Sequence, residues 1–186
     1  GQKGIGKATF AYHFINFILS KDLEKEYLLE NFEISDNSLT YNRICTNTHP
    51  NFYLIDSNSD NEDIKIEKTR DLLKFLSKTT YSKNLKIVLI DNLEKMNLNS
   101  SNSLLKAIEE PSENTFFILI HDNSYKVLET IKSRCMNFKI HFTEKEKKNI
   151  FNSIIQSYNY DYQNINFLDD IYFDTPGNLL KKIIFL

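Results

Sequence analysis

Lys86-Ile87-Val88-Leu89-Ile90-Asp91 decides how the rest of the chain is read. The apolar residues between the lysine and the aspartate run without alternation, so neither face of this segment is written for water. Runs of this kind belong to strands of a parallel sheet whose two faces are both covered by helices. Thr115-Phe116-Phe117-Ile118-Leu119-Ile120 is a second such run, and Phe52-Tyr53-Leu54-Ile55 a shorter one. Between them the period changes. Ile66, Leu72, Leu73, Phe75 and Leu76 suggest a helix over 63–79 with charges on its other side, and 97–110 is a helix stopped by Pro111. Strands alternating with helices imply right-handed βαβ units and a doubly wound parallel α/β layer.

Outward from this centre, Phe10, Phe14, Phe17 and Ile18 recur at helical spacing and predict an amphipathic helix near the start. A short helix is expected over 21–30, a polar and irregular stretch over 31–50, and a short strand over 138–142. After Phe142 only helical patterns remain. Thr143 is placed to N-cap a helix over 144–156, with Glu146 at the third position completing a capping box. Helices over 167–172 and 176–184 follow. The boundary therefore falls near Thr143, with an α/β domain over 1–142 and a small helical domain over 143–186.

The first eight residues carry chemistry. Gly1-Gln2-Lys3-Gly4-Ile5-Gly6-Lys7-Ala8 fits the phosphate-loop pattern G-x-x-x-x-G-K-[ST] at every position but the last. In such a loop the backbone N–H groups and the lysine cradle phosphates, while the final hydroxyl binds Mg²⁺. Ala8 offers only a methyl group, and Thr9, one residue late, points about 100° away on a helix. The other expected part is an acid at the end of a hydrophobic strand, where Asp91 stands; without further motifs it reads equally well as an ordinary strand-end or cap residue. Asn92 follows it, and an amide is no general base.

At 186 residues and 41% hydrophobic, the chain suits one full domain with a small appendage. A phosphate loop ordinarily follows a buried strand, so a preceding segment containing that strand is expected. Ile183-Ile184-Phe185-Leu186 reads as an interrupted helix. The net charge of -2 gives no global electrostatic case for wrapping nucleic acid. No apolar run approaches the roughly 18 residues of a membrane span, and no signal-peptide pattern is present. Cys45 and Cys135 are isolated, which argues against a zinc set or a disulfide framework and for small buried residues in a reducing cytoplasm. Lys65, Lys68, Lys74 and Lys78 interleave with Glu62, Asp63, Glu67 and Asp71, the pattern of a solvated face rather than a basic patch. The asparagines at 58 and 61 reflect an Asn-, Ile- and Lys-rich composition and are not taken as a sign of disorder.

Three segments form one ordered series: Asn102-Ser103-Leu104-Leu105-Lys106-Ala107-Ile108-Glu109-Glu110-Pro111, the 115–120 run, and Thr130-Ile131-Lys132-Ser133-Arg134-Cys135. With His49-Pro50 and Phe75-Leu76-Ser77, the series resembles the AAA+ clamp-loader family of bacterial DNA polymerase III. The likeness extends from the Gly1 loop through Thr175-Pro176-Gly177. It implies a P-loop AAA+ doubly wound parallel sheet with a small helical lid, and an oligomerisation collar beyond Leu186.

The resemblance also implies roles. Arg134 is carried over as an arginine finger that reaches the ATP of a neighbouring subunit, a task suited to a permanently charged fork of donors. Gly1, Gly4, Gly6, Lys7 and Asp91 are carried over as a degenerate nucleotide site, in which bound ATP or ADP without turnover stays open. Asn123 falls in the sensor-1 region, or else caps the helix that follows. Asn178 stands where active relatives place a nucleotide-clamping arginine. Motor subunits of the family hold zinc with four cysteines near 31–50; Cys45 alone implies no zinc. Glu109 and Glu110 end a helix, where negative charge opposes the macrodipole; a coupling role is open to them.

With Ala8, Asn92 and Asn178 each lacking a part of one hydrolysis machine, the expectation is a non-catalytic clamp-loader subunit. Its implied partners are gamma/tau-type ATPase and delta-type subunits, with the sliding clamp and primed DNA reached through the assembly and no membrane. The alternatives are an active AAA+ motor subunit, with Thr9 rescuing the metal, and an unrelated P-loop kinase.

Overall fold

The structure, a computed structural model, describes residues 1–21, 23, 26–57, 63–78, 85–158 and 174–184. In chain order the elements are α1 (Lys7–Leu19), β1 (Tyr27–Leu28), β2 (Glu33–Ile34), α2 (Leu39–Cys45), β3 (Phe52–Ile55), α3 (Ile66–Ser77), β4 (Lys86–Ile90), α4 (Leu98–Glu109), β5 (Thr115–Leu119), α5 (Glu129–Lys132), α6 (Glu144–Ser157) and α7 (Pro176–Ile184). They fall into two compact units. One comprises 8–121 and 125–137; the other comprises 1–7, 122–124 and 138–186.

In the first unit β4 lies between β3 and β5, parallel to both. Its register sets Ile87 against Phe52 and Phe116, and Ile90 against Ile55 and Leu119. Every residue of β4 is buried, as its unbroken apolar run requires. The two faces of β4 feed separate cores. Ile87 and Leu89 pack with Ala11, Ile15 and Ile44 from α1 and α2. Val88 and Ile90 pack with Leu72 and Leu104 from α3 and α4. Helices on both faces make the sheet doubly wound, and each fully enclosed Leu or Ile contributes about 1.5–3 kcal/mol of hydrophobic stabilisation. Lys86, only 5% exposed, crosses from the start of β4 to the end of α3. Its ammonium donates to the carbonyls of Phe75 (3.2 Å), Leu76 (3.1 Å) and Lys78, and lies 5.3 Å from the Phe75 ring centroid. Helix C-termini leave carbonyls without internal partners, and a cation there is favourable.

Several expectations are corrected. Part of the helix expected over 21–30 lies outside the described residues, and Tyr27–Leu28 is a strand paired antiparallel with Glu33–Ile34. The turn between them has Phe32 at φ 53°, and the Glu26 carboxylate accepts from Ser38 Oγ and Thr40 N, both at 3.0 Å, which ties this segment to the start of α2. The stretch 31–50, expected to be irregular, holds α2. Ser38 caps it, accepting from Tyr41 N at 3.0 Å, and Ile44 is fully buried. Residues 138–142 form no strand: Phe138 is 80% exposed, and among the described residues no neighbouring strand offers them a ladder. Cys45 is exposed rather than buried, and Cys135 is half-buried. On α1 the buried face is Ala11, Ile15 and Asn16, while Phe10 and Phe14 stack on each other in solvent, ring centroids 6.1 Å apart.

The second unit contains α6 and α7, which meet through Phe151, Ile155 and Leu179. Thr143 and Glu146 form the full capping box at the start of α6. The expected helix over 167–172 and the asparagines at 58 and 61 lie outside the described residues.

Candidate functional site

Gly4 and Gly6 take φ of 80° and 95°, a region that side-chain-bearing residues rarely adopt, so the glycine spacing of the loop is a backbone requirement. Lys7 opens α1, and its ammonium turns back on the loop, donating to Gly1 O at 2.6 Å and Gln2 O at 2.7 Å. Lys3 N donates to Asp122 Oδ2 at 3.1 Å, and Asn123 N to Gly1 O at 3.4 Å. Burial works against the Asp122 carboxylate, yet hydrogen bonds from Ser124 and the Lys7 charge hold its pKa below the usual range. Asn123 does not cap α5, whose N-cap is Leu128.

The same compact unit brings the first turn of α7 onto this loop. Thr175 Oγ1 donates to Lys3 O at 2.7 Å, and Gly177 N to Gly4 O at 2.9 Å. A Cβ on Gly4 would stand 2.3 Å from Thr175 Oγ1 and 2.9 Å from Asn178 Oδ1, so only glycine fits beneath the helix. Asn178 donates through Nδ2 to Asp174 Oδ1 at 2.9 Å, and Asp174 also pairs with Lys182 at 3.1 Å. Gly1, Gly4, Gly6, Lys7 and Asn178 are thus gathered in one place. Thr175 was read only as the start of the Thr175-Pro176-Gly177 turn, and Asp122 was missed; a single polar residue in a loop carries no pattern that separates it from ordinary turn residues.

Asp91 and Asn92 belong to the other unit. Asp91 follows β4, and its Oδ1 accepts from Asn92 N at 2.8 Å. Asn92 sits in the left-handed region at φ 57°, with Nδ2 on Asp56 Oδ1 at 2.8 Å. Asp56 is a second acid at a strand end that the sequence reading did not single out, although a 52–55 run followed by aspartate repeats the pattern that marks Asp91. The Tyr12 phenol has its pKa raised by burial first, with the nearby Cys45, Asp91 and Asp56 adding to it. An amide held by Asp56 in a left-handed turn serves the backbone and cannot take a proton from water.

Arg134 follows α5 in the same unit. Its Nη1 donates to Thr130 O at 2.8 Å and Ser133 Oγ at 3.3 Å, and its Nη2 pairs with Glu109 Oε1 at 2.6 Å. The side chain is 38% exposed, and that of Glu109 41%. Cys135 packs against the core shared by α3 and α4, and burial raises its thiol pKa. The three residues of the box divide the work: cysteine anchors, serine receives one edge of the guanidinium, and arginine carries the charge. Sequence reasoning found Arg134 but not its partnership with Glu109.

A parallel sheet with helices packed on both faces places the chain among the α/β proteins. Within that class, the family model described as DNA polymerase III, delta subunit matches residues 1–144, and the chain belongs to this family. DNA polymerase III subunit delta' of Pseudomonas aeruginosa is 37% identical over 93 residues, covering 50% of this chain and 28% of the relative. DNA polymerase III subunit gamma of Buchnera aphidicola subsp. Schizaphis graminum is 32% identical over 158 residues, covering 82% of this chain and 39% of the relative. A solved gamma subunit-related protein from Thermotoga maritima superimposes on 71% of this chain and 45% of its own length, with 21% identity and a TM-score of 0.48. The chain thus spans well under two thirds of the relatives it matches. Among the described residues, no helix is long and apolar enough to cross a membrane.

Proposed function

We propose that this chain is the α/β and lid portion of a non-catalytic, delta-prime-like clamp-loader subunit that supplies Arg134 to the ATP of a neighbouring ATPase subunit. The observation that carries the proposal is the Ser133-Arg134-Cys135 box, which presents an oriented, half-exposed guanidinium at the end of α5. Met136, two residues further on, is 84% exposed, apolar surface of the sort that a protein partner covers. In this reading 1–142 is the AAA+ nucleotide-type domain and 143–186 the lid. The subunit works in the cytoplasm beside gamma/tau-type and delta-type subunits, in an assembly that places the sliding clamp on primed DNA.

Loss of its own turnover is supported by the side chains present. Ala8 has no hydroxyl for Mg²⁺, Asn92 has no basic oxygen, and Asn178 is spent on Asp174. Where the residues fit a nucleotide at all, it is through the loop backbone of Gly4 and Gly6 with Lys7; the metal's charge-neutralising chemistry lacks its usual protein ligand here. A gamma-subunit relative is 32% identical over 158 residues, which keeps an active motor as the second reading.

One reconstitution separates the two. In a loader assembled with the full-length protein, Arg134→Ala is expected to lower DNA-stimulated ATP hydrolysis by about 10³-fold with assembly intact. Lys7→Ala is expected to leave turnover unchanged. Unchanged hydrolysis in Arg134→Ala refutes the finger, and turnover by the isolated subunit that Lys7→Ala abolishes establishes the motor reading.

A further inference from the structure

We infer that Glu109 is a positioning residue for Arg134: its carboxylate occupies the guanidinium edge meant for a phosphate, parking the finger on its own subunit until a neighbour's triphosphate displaces it. The inference rests on the finger reading above and deepens it. Glu109 is the last residue of α4, where its negative charge faces the carbonyl end of the helix and opposes the dipole. Helix stability therefore gives no reason for an acid at this position. The geometry supplies one, since Glu109 Oε1 lies 2.6 Å from Arg134 Nη2, the shortest contact of the guanidinium among the described residues.

The other edge of the guanidinium is committed to backbone and hydroxyl oxygens of its own helix and turn, Thr130 O and Ser133 Oγ. These neutral contacts fix the plane of the fork. Among the described residues Glu109 is the one that brings an anionic oxygen to it, and a carboxylate offers arginine the same planar recognition as a phosphate. Lys132 does not compete for Glu109, because its ammonium pairs with Glu129 at 2.8 Å. Both partners of the Glu109–Arg134 pair remain more than a third exposed, so water screens the bond and the exchange needs no unfolding. A buried pair would lock the finger. A screened one holds it with a force that a triphosphate, more highly charged, overcomes.

Glu109→Gln keeps the shape of the side chain and removes the anion. It is made in the full-length protein, assembled with its ATPase neighbours, alone and on an Arg134→Ala background. Steady-state hydrolysis of MgATP is then followed with and without clamp and primed DNA. Expected is a two- to five-fold fall in the apparent KM for ATP and an equal rise in unstimulated turnover, with the DNA-stimulated kcat unchanged. On the Arg134→Ala background the Glu109→Gln change is expected to do nothing. A Glu109→Gln loader that matches wild type, or one whose stimulated kcat falls, overturns the parking role while leaving the finger intact. If Arg134→Ala itself hydrolyses like wild type, the finger reading fails, and the parking role fails with it. A merely structural pair would shift the melting temperature without splitting KM from kcat.

Discussion

His49 shows how one side chain in a connecting turn writes a pH dependence into the fold. Its Nδ1 accepts from Asn51 N at 3.2 Å, at the entry to β3. Burial holds the imidazole pKa below its ordinary 6.5, the nearby Arg43 charge pushes the same way, and Glu26 opposes them. The folded state therefore prefers neutral histidine. Between the depressed folded value and 6.5 the unfolded chain binds more protons, so stability rises with pH through that window and is fully present above it. The melting temperature of the full-length protein is expected to fall as the pH drops through 6.5 toward the lowered folded-state value of His49. His49→Gln should flatten that slope while leaving the steeper loss at lower pH, where Glu26, Asp122 and Asp174, all with lowered pKa, become protonated. An identical slope in the variant would remove His49 from the account. At this scale the sequence was legible for motif residues and silent on their partners. Arg134 stands out because its box has a fixed spacing. Glu109 and Asp56 reach their partners from 25 and 36 residues away, separations that only folding closes.

Elements were readable in proportion to how many of their residues share one environment. β4 was found because both of its faces are packed, leaving no polar positions to blur the run; β5 was found by the same apolar run, although Phe116 on it is 55% exposed. The start of α6 was found because Thr143 and Glu146 satisfy orphan N–H groups reciprocally, a local device independent of tertiary context. Thr143→Ala is accordingly expected to cost about 1 kcal/mol, read as a lower urea midpoint with an unchanged slope, and Thr143→Ser should restore most of it. No change in the midpoint would mean that α6 is held by its packing against α7 alone. By contrast α2 escaped notice: seven residues with one fully buried apolar side chain, Ile44, leave no period to detect. Residues 138–142 alternate like a strand, yet a strand exists only where a neighbour completes its hydrogen bonds. The error on α1 is of a third kind. Phenylalanines at helical spacing marked the helix correctly, but the smaller Ala11 and Ile15 take the place against the sheet.

For the molecule as a whole, the layered sheet and the family follow from the order of strands, loop and box. The grouping of the loop residues 1–7 with 122–124 and 138–186 does not. It arises from the bonds that Thr175 and Gly177 make to the loop carbonyls, and a chain-order reading assigns those residues to separate domains by default. Within the other unit, Lys86 joins strand to helix by spreading one ammonium over the carbonyl end of α3 while burial lowers its pKa. That arrangement makes Lys86 a clock. A lysine whose residue is 5% exposed and whose ammonium is bonded to three carbonyls at the end of α3 is shielded from acylating reagents until α3 parts from β4, and once freed it reacts like any other lysine. In a timed acetylation of the folded full-length protein, Lys86 should be among the slowest lysines to label, far behind the exposed Lys74. Its rate should rise with sub-denaturing urea in step with amide exchange in α3. Early labelling of Lys86 would show that the helix end opens without the sheet; late labelling would give a direct measure of how often the central layer comes apart.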